Sequence, residues 1–247
     1  SRHMDRAGSG RRSSMLQSVN LALRHIPVWL VYVFGLLPAF LYFWWGISNQ
    51  LGPNPISDLE HLLGAFALQL LISGLCITPL RRFANLNLLK FRRAIGLLAF
   101  FYVFLHLLVW LVLDVGQTSQ IIKDIIKRPY ITIGMLSFFC MLPLAITSND
   151  LSVRRLGPKW RLLHRITYAV CLLGGLHFVM LRKGFQLEPL IYVGLVVLLL
   201  TLRFDWKRAR KGLSGAMERY GRRIVKVYVI HQNWSGEPIS LTLYSGP

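Results

Sequence analysis

Apolar residues in this chain fall in long runs, separated by short polar connectors that are often basic. Six runs stand out, near residues 26–46, 60–80, 94–113, 130–148, 162–181 and 189–204. Within them, Leu36 to Trp45, Leu97 to Leu113 and Leu190 to Leu202 contain no Asp, Glu, Lys or Arg. The hydrocarbon core of a bilayer is about 30 Å thick and a helix rises about 1.5 Å per residue, so roughly 18 or more apolar residues make a span. The pattern predicts an all-α polytopic membrane protein, a bundle of six transmembrane helices. Residues 1–25 read as a flexible N-terminus, of which 1–14 (SRHMDRAGSGRRSS) resemble an expression remnant. Residues 26–204 form the membrane domain, and 205–247 a basic tail in which Ile224 to Ile230 alternate weakly, as a short strand does.

Composition agrees. Of 247 residues 54% are hydrophobic and only 16% charged, with mean hydropathy +0.47. An ordinary soluble enzyme, a disordered chain and a disulfide scaffold are excluded. The three cysteines, Cys76, Cys140 and Cys171, lie inside apolar runs with no pairing pattern. No Cys-x-x-Cys-His occurs, which excludes the usual covalent haem attachment.

Charge sets orientation. The formal net charge is +19, and with the N-terminus inside, 24 of the 29 Lys and Arg fall on the inner side. Positive-inside bias then predicts cytoplasmic N- and C-termini. Basic loops that fix topology and touch anionic headgroups account for the charge, and no nucleic acid is expected. One outer connector, 119–128 (SQIIKDIIKR), spaces its isoleucines helically and reads as a short amphipathic helix in the interface that seals the bundle or offers a docking surface.

Candidate chemistry rests on histidines. His61, His106, His164 and His177 lie in or at the edge of spans. An ionisable residue at membrane depth is costly and usually faces the bundle interior or a cofactor. His106 comes 13 residues after Arg93, and His177 12 or 13 after the His164–Arg165 entry. Both spans run outward, so both imidazoles sit roughly 18–20 Å from the inner edge. Two imidazoles at one depth on separate helices suit the two faces of one iron. His164 lies at the inner edge with no histidine partner at its depth. Its 13-residue spacing from His177 leaves the two side chains some 140° apart on an ideal helix. Either the helix is distorted, at Gly174–Gly175 for instance, or His164 uses another face. His61 lies at the outer edge. Gly64, Ala65, Gly96, Gly174 and Gly175 suit either a flat macrocycle or close helix packing. Arg92, Arg93, Trp160 and Arg161 would serve propionates or topology. About 43 residues of tail are too few for a dinucleotide fold, and no G-x-G-x-x-G follows a strand.

The stretches DLEHLLG (58–64), ITPLRR (77–82), RRAIGLLAFFYVFLHL (92–107), KRPYITIG (127–134), LGPKWRLLHRITY (156–168), GLHF (175–178) and EPLIYVGLVVLLLTLR (188–203) resemble the MsrQ (YedZ) family. That family consists of haem-binding membrane subunits of the bacterial periplasmic methionine-sulfoxide reductase system, with a ferric-reductase-like transmembrane domain. The resemblance implies b-type haem, one or two, with His106, His164 and His177 as ligands and His61 as a fourth candidate. It implies FMN as an associated cofactor, although no flavin motif is seen. It further implies a bacterial inner-membrane location and electron transfer to a periplasmic molybdopterin-containing catalytic subunit that reduces methionine sulfoxide in proteins.

The expected role is an electron-transfer subunit with no substrate site of its own, fed by a cytoplasmic flavin reductase or a quinol. One rival is a stand-alone transmembrane ferric or oxygen reductase. A second is a non-redox membrane anchor or transporter, which an inverted repeat of broken helices would favour; none is visible in the sequence.

Overall fold

The computed structural model describes residues 15–115, 118–182 and 186–203. Residues 1–14, the basic tail and its strand-like Ile224–Ile230 lie outside the described residues. Those described are helical, without strands. The first helix, α1, covers 15–25, a segment expected to be flexible. Asn20 ties it to the 84–90 connector, donating to the Asn85 carbonyl at 2.9 Å and accepting from the Asn87 amide at 3.0 Å. Lys90 Nζ donates to the carbonyls of Arg24 and Ile26, at 2.9 and 2.7 Å, near the end of the helix. Carbonyls there lack intrahelical partners, and a lysine meets that need.

The bundle follows as α2 (Trp29–Ile47), α3 (Pro55–Phe83), α4 (Arg92–Val109), α5 (Thr118–Lys127), α6 (Pro129–Ile146), α7 (Asp150–Leu156), α8 (Pro158–Leu163), α9 (Ile166–Leu181) and α10 (Leu187–Arg203). Helices α3, α6 and α8 each carry proline near the start, where its missing N–H has no helical partner to lose. Gly157, at φ +51°, makes the corner between α7 and α8; a β-carbon is strained there. The α4 run continues as a π-helical turn, Trp110–Val115.

Among the described residues, five helical runs are long and apolar enough to cross a bilayer: Trp29–Ile47, Pro55–Phe83, Leu89–Val115, Pro129–Ile146 and Pro158–Leu181. The sixth, α10, has 17 described residues, a rise of about 26 Å. Helix α10 packs against α3 and α9. Large apolar side chains face outward, among them Phe40, 74% exposed, and Ile47, 80% exposed. In water that surface would aggregate; against lipid it carries no such penalty. The chain is an all-α integral membrane protein.

Two apolar clusters form the interior. Leu68, Leu71, Leu75, Met141, Val170 and Val196 join α3, α6, α9 and α10. Ala39, Leu63, Ala67 and Tyr102 join α2, α3 and α4. Tyr102 is fully buried, and its hydroxyl donates to the Gly35 carbonyl at 2.6 Å and accepts from the Ala39 amide at 2.9 Å. Those two groups would otherwise bond each other within α2, so the tyrosine is inserted into the helix ladder just beside Pro38.

A second repair lies between α3 and α10. Pro79 has no amide hydrogen for the Leu75 carbonyl. Arg203 Nε and Nη2 donate to that carbonyl at 3.1 and 2.8 Å, and Nη2 also to the Gly74 carbonyl at 3.2 Å.

Candidate cofactor sites between the helices

Two cavities open between the helices, one toward α5 and one toward the arginines of α4 and α8. The α5-end cavity is lined by His61 and Gly64 of α3, His106 of α4, Gly134 of α6 and His177 of α9. The arginine-end cavity is lined by Arg92, Arg93, Ser148, Trp160, Arg161 and His164.

At the α5 end, the rings of His106 and His177 have centroids 6.2 Å apart and planes crossed at 82°. Two imidazoles on opposite sides of one metal, each bonded at about 2 Å, have ring centres roughly 6 Å apart. The measured separation matches that arrangement. The sequence reading put these two residues at a common depth, and the fold brings them together.

The outer nitrogens are spoken for. His106 Nδ1 donates to the Glu60 carbonyl at 2.9 Å, and His177 Nδ1 donates to the Tyr130 carbonyl at 2.7 Å. A carbonyl can only accept, so Nδ1 carries the proton and Nε2 keeps its lone pair. Metal-bound histidines are commonly held this way, because the bond fixes the ring and raises its basicity.

Each ring also rests on a glycine of the facing helix. A β-carbon on Gly64 would meet His106 Nδ1 at 3.1 Å and Cε1 at 3.2 Å; one on Gly134 would meet His177 Nδ1 at 2.9 Å and Cε1 at 3.0 Å. Gly64 is four residues beyond Glu60, and Gly134 four beyond Tyr130. Gly134 and the two carbonyls escaped the sequence reading, although GLHF and YITIG were both in view.

His61 lines this cavity, but its Nδ1 donates to the Ser57 carbonyl of its own helix at 2.6 Å. Among the described residues no group of three or more His, Cys, Asp or Glu that could hold a metal ion is found. Glu60 and Asp114 give the cavity acidic members and Arg128 a basic one. Arg128 Nε lies 3.5 Å from Asp124 in α5.

His164 is placed differently. The long helix expected to carry both His164 and His177 breaks at 164–165, between α8 and α9, and runs unbroken through Gly174–Gly175. The ring stacks on Trp160, with centroids 3.9 Å apart. Its Nδ1 donates to the Trp160 carbonyl at 3.1 Å, and Nε2 lies 3.5 Å from Ser148 Oγ. Among the described residues no second histidine lines this cavity. Arg93 is paired with Asp150 at 2.7 Å, and that contact holds the Asp150 carboxyl below the ordinary carboxylate range.

Comparison with known proteins gives one picture. Residues 61–175 match the ferric reductase like transmembrane component family. A protein-methionine-sulfoxide reductase heme-binding subunit MsrQ from Agrobacterium fabrum is 49% identical over 187 residues, 74% of this chain and 87% of that protein. The proteins of the same name from Brucella anthropi and Brucella ovis are 44% and 45% identical over 184 residues, covering 74% of this chain and 84% and 82% of theirs. No solved structure matches. With identity of this order across most of both chains, the chain belongs to the MsrQ family of ferric-reductase-like membrane proteins.

Proposed function

We propose that this chain is a haem-binding electron conduit of the bacterial inner membrane, with both termini cytoplasmic. It would take electrons from a cytoplasmic flavin reductase or quinol and deliver them to a periplasmic molybdopterin-containing catalytic subunit that reduces methionine sulfoxide in proteins. The observation that carries the reading is the His106–His177 pair, crossed at 6.2 Å with each Nδ1 bonded to a backbone carbonyl. The relatives' names, heme-binding subunits of methionine-sulfoxide reductase, support it. The excess of Lys and Arg on one side supports the orientation.

His106 and His177 would hold a b-type haem at the α5 end. The group supplies one-electron chemistry at its iron, and the protein sets its axial donors, burial and outer hydrogen bonds. The chain's own residues fix the two imidazole tautomers and surround the site with apolar side chains such as Leu68 and Phe138.

His164 would serve a second cofactor at the arginine end, a second b-type haem or FMN. Both carry anionic arms, which the arginines lining that cavity suit.

The test is a pyridine haemochrome and flavin assay on the purified protein, followed by histidine variants. His106→Ala or His177→Ala should abolish the low-spin spectrum of the α5-end haem, while His164→Ala should leave it. A colourless protein, or loss of all haem in His164→Ala while His177→Ala is harmless, overturns the reading. Reduction of the haem by NADPH with no other component would refute the separate donor.

A further inference from the structure

We infer that Gly64 and Gly134 are positioning residues that hold the two axial imidazoles crossed, and so select the electronic state of the bound iron. The inference rests on the proposed haem between His106 and His177 and goes beyond it to the backing helices.

The two ligands are built alike from unrelated sequence. His106 on α4 lies over a glycine of α3 and donates to the carbonyl four residues before that glycine; His177 on α9 does the same with α6. In a helix, the carbonyl of residue i accepts from the amide of residue i+4. The Glu60 and Tyr130 carbonyls therefore face two donors each, the amide of the glycine and an imidazole N–H. A carbonyl has two lone pairs and can accept both. The imidazole reaches the second lone pair only if the residue above it presents no side chain. At Gly134 a β-carbon would stand 2.9 Å from His177 Nδ1, closer than nonbonded carbon and nitrogen approach.

The ring cannot simply step aside. Its Nδ1 is tied to the same helix that would push it, so displacement lengthens the hydrogen bond or turns the ring about it. Turning changes the 82° crossing. With crossed axial planes, each imidazole raises a different one of the two iron d orbitals that can π-bond along the axis, and the two stay nearly equal in energy. With parallel planes both imidazoles raise the same orbital, and the pair splits. In low-spin ferric iron the first case gives a strongly anisotropic EPR signal, and the second a more rhombic one. Loss of the N–H donation also makes the ligand a weaker donor, which favours ferrous iron and raises the reduction potential.

The experiment is low-temperature EPR and potentiometry on the full-length oxidised holoprotein. Four single variants are compared: Gly64→Ala, Gly134→Ala, and the controls Gly46→Ala and Gly194→Ala, where an added β-carbon meets nothing closer than 3.7 Å. The parent protein should give the strongly anisotropic signal. Gly134→Ala should replace it with a more rhombic low-spin signal, raise the potential and lose haem to an acceptor protein about 10- to 100-fold more readily, the range typical of a disrupted outer hydrogen bond. Gly64→Ala, the less crowded site, should move in the same direction by less. The controls should match the parent.

A rhombic signal in the parent overturns the inference, and so does a Gly64→Ala protein indistinguishable from the controls. Should Gly134→Ala fail to accumulate, Gly64→Ala decides alone. A parent protein without low-spin haem, or one that keeps its signal in His177→Ala, defeats the underlying haem reading. Indifferent glycine variants in a haem-bearing parent defeat only this inference.

Discussion

The two cavities hold histidine in opposite ways. At the α5 end two imidazoles from different helices face each other, each steadied by a carbonyl of a third or fourth helix. At the arginine end a single imidazole is steadied by the carbonyl one turn earlier in its own chain and by a stacked tryptophan. The first arrangement depends on four helices being in register. The second is local, and among the described residues no second imidazole lines its cavity. A site of the first kind fixes coordination on both faces of a metal. A site of the second kind fixes one donor and relies on surrounding charge.

The sharpest way to break this contrast is at the histidines. His106→Ala or His177→Ala should remove the low-spin spectrum and abolish electron delivery, the largest effect expected of any single change. His164→Ala should spare that spectrum. Equal losses in all three would show that the ends are coupled and the contrast false.

Next come the helix repairs. Arg203→Leu strips the Leu75 carbonyl of the donor that Pro79 cannot provide, a loss of about 1–3 kcal/mol if the carbonyl is left unpaired. Arg203→Lys should recover part of it. Unfolding in detergent checks both, and the α5-end spectrum should stay unchanged, because the repair lies at the Gly74–Leu75 wall of the arginine-end cavity. Tyr102→Phe should cost less, about 1 kcal/mol, because the freed Gly35 carbonyl and Ala39 amide can bond each other. The same unfolding assay tests it.

The smallest effect is expected at the exposed Arg93–Asp150 pair. The folded carboxyl titrates lower than the free one, so any stability it adds is present at neutral pH and is lost only as pH falls through that depressed value. Asp150→Asn should leave stability at pH 7 within error. A clear change there, read by thermal unfolding, would mean the pair anchors α7.

Much of the frame was legible because lipid imposes a simple rule. A span must be long, apolar and helical, and the runs around Phe40, Leu68, Leu105, Phe138 and Val170 announce themselves. Depth counting also put His106 and His177 on one level, since rise per residue is fixed. What stayed hidden depends on neighbours. Nothing in YITIG tells that Gly134 will face an imidazole from another helix. The break at His164–Arg165 was missed because no proline or glycine marks it; instead the Trp160 carbonyl receives both the His164 amide, at 3.0 Å, and the His164 ring nitrogen. Tyr102 read as one aromatic among many, and its insertion into α2 follows only once α2 lies beside α4.

The wide turn at Trp110–Val115 begins four residues past His106. Such a turn holds one residue more than the regular coil it interrupts. Removing one residue there would restore the ordinary winding and swing Asp114 away from the cavity, while everything from Arg92 through His106 kept its place. A change of chain length in this turn can therefore leave His106 in place, whereas a deletion a few residues earlier would rotate that histidine off its glycine.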